Sequence, residues 1–205
     1  MAWYDRFRGF NSHPQLEGTH AVLSASNYHW ENDDDEKLIA RLKAAKAATR
    51  GTRLHAWAAE AILMKRRQPT KGSPDYDILC AYINDAIEYG MKPEQVLIGT
   101  EYSYGTADAI RFDPYDDDAG GFAGFLRIHD YKSGVSKASV KQLYFYAVFF
   151  CLEYGYRPFE IDGELRIYQG EEVQIYEIEQ DTLARMYDRT KNASRIAERE
   201  LGGLF

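Results

Sequence analysis

With 205 residues, 45% of them hydrophobic and 28% charged, the chain has the material for one substantial buried core, and a single domain is the default. Its net charge of −7 argues against a generally basic nucleic-acid coat, and no apolar run is long enough to span a bilayer. Two isolated cysteines, Cys80 and Cys151, give neither a disulfide framework nor a zinc site, so a reducing, cytoplasmic setting is expected.

Residues 1–23 read as irregular, punctuated by Gly9, Pro14 and Gly18, and Ser24 or Ser26 suits the cap of a short helix. Asp33-Asp-Asp-Glu36 precedes Leu38, Ile39 and Leu42, the pattern of acids in a first helical turn, and this helix is predicted to reach about Thr49. Gly51-Thr52 is expected to break it, with a second helix over Arg53–Arg67. From Arg41 to Gly72 there are nine Lys/Arg residues and one acid, Glu60. Such a stretch is either a solvated helix face or a local basic surface able to hold a polyanion. After a loop from Pro69 to Pro74, a third helix starts at Asp75 or Asp77, carries Ile78, Leu79, Tyr82, Ile83, Ala86 and Ile87, and stops at Gly90.

From Gln95 the hydrophobic period becomes that of strands, predicted at Val96–Tyr102, Gly105–Phe112 and Phe125–Tyr131. The acid-rich Asp113–Gly121 stretch lacks the spacing of a calcium-binding EF-hand loop and reads as a solvated hairpin loop. Ser139-Val-Lys-Gln142 has the form of a capping box and opens an apolar helix to about Tyr154. Strands Arg157–Tyr168 and Glu171–Ile178 follow around a Gln169-Gly170 turn, and Asp181 begins a last amphipathic helix to about Glu200. The order predicts an α/β (α+β) fold with a central mixed sheet flanked by helices. Residues 1–93 form its mainly helical part, carrying His55, and 94–205 its sheet core.

The chemistry-bearing residues fall on those strands. Asp130 and Lys132 are two apart and share a strand face with Ile128, while Arg127, His129 and Tyr131 point the other way. Asp108 has alanines on both sides, so little bulk crowds its carboxylate. Two aspartates beside a lysine suit a divalent cation and an anionic phosphodiester. Magnesium keeps several waters and needs only one or two protein carboxylates, with the Tyr131 carbonyl as a further oxygen. Lys132, a compact cation with rotatable donors, is placed to touch the attacking water or a phosphate oxygen. Alternatively, Asp130 and Lys132 form a same-face strand ion pair, worth ~0.2–1 kcal/mol.

Gly51-Thr-Arg-Leu-His55, Glu101 with Gly105-Thr-Ala-Asp108, Asp130-Tyr-Lys132-Ser-Gly134 and Gln142-Leu-Tyr-Phe-Tyr146 occur in this order across roughly residues 50–155. With them the chain resembles the PD-(D/E)XK nuclease superfamily, specifically its RecB-like branch, including the small phage-encoded members. The resemblance implies a restriction-endonuclease-like core with Asp108 and Asp130 as metal-binding acids and Lys132 as the catalytic lysine. It implies His55 as an additional metal ligand, Glu101 as the acid that precedes the motif aspartate, and Gln142 and Tyr146 as the Q-x-x-x-Y element beside the site. Gln142 can equally close the capping box, and Tyr146 can equally be core. Iron–sulphur members of the branch carry four cysteines, which this chain does not supply, so magnesium or manganese is the implied cofactor without an iron–sulphur cluster.

The function implied is a magnesium- or manganese-dependent DNA nuclease, an exonuclease or structure-selective enzyme serving recombination or replication, in a host cytoplasm if phage-encoded. The partners implied are DNA and a recombination or replication protein. Arg50, Arg53, Lys137 and Lys141 are candidates for contacts to nucleic-acid phosphates. The alternative is a nuclease-fold protein that binds DNA or a partner without cutting, and nothing in the residues separates ribose from deoxyribose.

Overall fold

The computed structural model describes residues 32–70, 72–115, 121–134 and 137–201. The expected irregular stretch over residues 1–23, the expected cap at Ser24 or Ser26 and the acids at 116–118 lie outside the described residues. Two compact units divide the chain at residues 49 and 50. Of the first unit, residues 32–49 are described. They open helix α1 (Asp35–Leu63), where the Lys37 N–H donates to the Asp34 carboxylate and Arg41 pairs with Asp33 at 2.8 Å. These acids offset the unpaired amides of the first turn.

In the second unit α1 runs on through Gly51, and the break expected there does not occur. Glycine in a helix interior costs about 1 kcal/mol relative to alanine, but the position has a spatial reason for it. A Cβ at residue 51 would stand 3.1 Å from Ser133 Oγ, just past the end of strand β3 (Gly124–Lys132). The missing side chain lets the helix pass close to the sheet's end, which keeps His55 on the same rigid element. Helix α2 (Pro74–Glu88) has proline in its first turn, Asp75 and Asp77 against its N-terminal amides, and Gly90 at φ 62° beyond its end.

Strands β1 (Lys92–Thr100) and β2 (Ser103–Pro114) form a hairpin around Glu101-Tyr102, and β2 pairs antiparallel with β3. Helix α3 (Lys141–Tyr154) is the crossover to β4 (Ile161–Gln169), which lies parallel to β3; β5 (Glu172–Glu177) returns antiparallel and helix α4 (Gln180–Leu201) follows. The result is an α+β fold with a five-stranded mixed sheet in sequential strand order. β1 starts four residues before the expected Val96, because Lys92 and Pro93 pair with Ile110 and Ala109 despite weak strand propensity. The predicted strand at Arg157 begins with a short 3-10 turn over Pro158–Glu160.

Alternation along the strands builds a core on each face. Leu126, Ile128, Leu165 and Ile167 pack with Leu143, Ala147, Val148 and Phe150 of α3. Tyr131 and Tyr168 pack with Ala58, Ala61 and Ile62 of α1 and with Leu79, Tyr82 and Ile83 of α2. Each fully buried large side chain stabilises the fold by about 1.5–3 kcal/mol. Among the described residues no helix is long and apolar enough to cross a membrane.

Candidate metal centre

The carboxylate pair arises from strand register. The β2–β3 ladder ends at Ala109 opposite His129, and one step further Asp108 meets Asp130. There a side chain takes over from the backbone: the Tyr131 N–H donates to Asp108 Oδ2 at 3.0 Å. The same oxygen lies 3.2 Å from His55 Nδ1 on α1. The hydrogen bond to Asp108 raises the His55 pKa above its ordinary value, outweighing partial burial.

Asp130 is 1% exposed. Burial, together with the neighbouring charge of Asp108, pushes its pKa up to about 6, against the opposing pull of Lys132. Lys132 Nζ donates to Asp130 Oδ1 at 3.0 Å, and Oδ2 stands 3.0 Å from the same ammonium. Lys132 also donates to Gln142 Oε1 at 3.0 Å, and Gln142 Nε2 donates to the Tyr146 hydroxyl at 2.9 Å. Gln142 therefore does not close the expected capping box. Helix α3 starts at Lys141 with Val140 at the cap, and Ser139 Oγ accepts only the Lys141 N–H, at 3.3 Å. Tyr146 is at once core and site: it is buried, and Gly105 on β2 makes room for its ring, which a Cβ there would approach to 3.1 Å.

Asp108, Asp130, Lys132, His55, Gln142 and Tyr146 thus form one connected constellation. Glu101 does not join it. It is exposed in the hairpin turn, and Asp108 lies several residues along β2 from that turn, about 16 Å at ~3.3 Å per residue. Glu94, on β1, lies near Asp108 instead. One ligand atom from each of His55, Glu94 and Asp108 lies within 4.8 Å of the others. Together with Gly51, Thr52, Ala56 and Thr106 these residues line a cavity of about 610 Å³. Sequence reasoning missed Glu94, yet a signal was present. A two-residue turn at Glu101-Tyr102 sets a register that carries Asp108 to within one residue of Glu94.

Of the remaining candidates, Tyr131 donates its N–H to Asp108, and its ring stacks with Tyr82. Arg50, Arg53, Lys137 and Lys141 are all exposed; Arg50 sits 4.0 Å from Asp75, and Lys141 lines a separate groove with Tyr144 and Arg185. No family model, curated protein or solved structure matches the chain.

Proposed function

We propose that this chain is a divalent-metal-dependent DNA nuclease of the PD-(D/E)XK superfamily, RecB-like branch, acting as an exonuclease in recombination or replication. One observation carries the reading: residues from four separate sequence motifs converge on Asp108, Asp130 and Lys132 through direct contacts. The donor set fits magnesium or manganese, since Asp108 and Asp130 are carboxylates and Asp108 and His55 offer ligand atoms at the cavity. His55, Asp108 and Asp130 would hold the cation, with the Tyr131 carbonyl as a further oxygen. A bound cation supplies Lewis acidity, lowering the pKa of water and offsetting charge on phosphate oxygens.

The protein's own groups do the rest. Tyr131 N–H and His55 fix the Asp108 carboxylate. Asp130 and Gln142 engage two of the three N–H bonds of Lys132, which leaves one to donate to a phosphate oxygen or the attacking water. Tyr146 sets the amide orientation of Gln142 by accepting from Nε2. The basic residues of the α1 region offer charge for the nucleic-acid backbone. Asp108→Ala and Lys132→Ala should each lower manganese-dependent DNA cleavage by at least about 100-fold while circular dichroism shows a folded protein. Full activity in a folded Lys132→Ala protein would sink the assignment.

A further inference from the structure

Glu94 occupies a backbone conformation that its residue type does not favour. It lies inside β1, yet its φ is 49°, in the left-handed region where a side chain costs energy and glycine does not. Among the described residues Lys65, also at positive φ, has an ordinary reason, because it closes the end of α1. Glu94 has no such reason, since no helix ends there. Register explains where it points. Pro93 pairs with Ala109 and Gln95 with Ala107, so Glu94 faces Asp108 at a step the ladder skips. Across that step the pleat changes sense: Ala107 packs in the α3-side core and Ala109 in the α1/α2-side core, although they are two apart in one strand. The irregularity aims Glu94 at the cavity shared with His55 and Asp108.

Two further observations point to a cation there. Three ligands around one ion, each at roughly 2.0–2.3 Å, stand about 3–4 Å from one another, so atoms within 4.8 Å need to move inward by about an ångström to share an ion. Beside them the Asp130 carboxylate, 1% exposed, adds a further negative group, with the Lys132 ammonium 3.0 Å from both of its oxygens.

We infer that Glu94 is a ligand of a divalent cation shared with His55 and Asp108, and that the strained step in β1 persists because it delivers this carboxylate. The imidazole suits the set to a transition-metal dication better than to magnesium or calcium, whose preferred donors are all oxygen, and manganese serves as the probe. The inference deepens the proposed nuclease reading by adding a ligand to its cation site.

The test uses manganese chloride alone, without DNA, on the full chain. By titration calorimetry, Glu94→Gln should bind Mn²⁺ at least about tenfold more weakly than the wild type. Glu94→Gly, which relieves the left-handed strain, should melt about 2–4 °C higher than the wild type in chelator and lose the rise in melting temperature that Mn²⁺ gives the wild type. A purely structural Glu94 would not separate these two readouts. Wild-type Mn²⁺ affinity in Glu94→Gln, or an intact manganese-dependent rise in Glu94→Gly, would overturn the inference. DNA cleavage on the same preparations separates the two ideas. A wild type that binds Mn²⁺ through Glu94 but never cuts leaves the site standing and ends the nuclease reading. A wild type that cuts, with Glu94→Gln binding normally, does the reverse.

Discussion

Successive residues of β3 enter two charge clusters that are balanced in different ways. His129 faces α2, where Arg127 pairs with Asp113 and Glu164, Arg111 with Asp113, and Arg166 with Glu164 and Asp85. Three arginines there meet three carboxylates, and Tyr168 adds a hydrogen bond to Asp85 at 2.7 Å. Burial and the two arginines hold the His129 pKa down at about 3, so the imidazole stays neutral. Asp130, the next residue, pairs with Lys132 and neighbours Asp108, which with exposed Glu94 surrounds the imidazole of His55. The first cluster matches each guanidinium with a carboxylate, and the second sets more carboxylates than cations side by side. The cation proposed above would supply the positive charge that the second cluster lacks.

The largest effect should come from unbalancing the complete cluster. Glu164→Ala leaves Arg127 and Arg166, both mostly buried, short of a carboxylate. It should cost about 3 kcal/mol in urea unfolding. A loss below about 1 kcal/mol would mean that water satisfies those arginines and that the two clusters do not differ in kind.

Removing charge from the other cluster should act in the opposite sense. The folded pKa of Asp130 is raised to about 6 from 3.8, so ionisation of the buried carboxyl opposes folding. Its favourable contribution is complete below the unfolded value and disappears as pH rises through the folded one. In chelator, Asp130→Asn should therefore be more stable than the wild type by about 1–3 kcal/mol at pH 7, with the difference shrinking towards pH 4. The same variant should lose cleavage. A variant that is less stable than the wild type at pH 7 would show that Lys132 alone already balances the site.

The smallest effect concerns how α1 reaches the site. Gly51→Ala gains up to about 1 kcal/mol of helix propensity and brings a methyl to 3.1 Å from an exposed serine hydroxyl that can rotate away. A small rise in melting temperature is expected. A fall would mean that the α1–β3 approach is tight enough to constrain His55.

Much of this architecture is legible in the sequence because it rests on period alone. Two-residue alternation puts Asp130 and Lys132 on the α3 side with Ile128, and His129 and Tyr131 on the other. The i, i+4 spacing of Gln142 and Tyr146 likewise becomes a direct hydrogen bond. What stays hidden depends on contacts distant in sequence. Gly51 reads as a helix breaker until Ser133 is brought against it, and Gln142 reads as a cap until Lys132 arrives across the sheet. Glu101 looks close to Asp108 because seven residues seem few, yet along an extended strand they carry it far away. Glu94 follows a proline, before the region of strand period, and no local pattern announces its positive φ.

The most direct measurement is incubation of the wild-type protein with end-labelled linear DNA, single- and double-stranded, in manganese and then in excess chelator. Cleavage in manganese that chelator abolishes is the expected result, and the labelled ends would give its polarity. A folded protein that binds manganese and leaves both DNA forms intact would contradict the account.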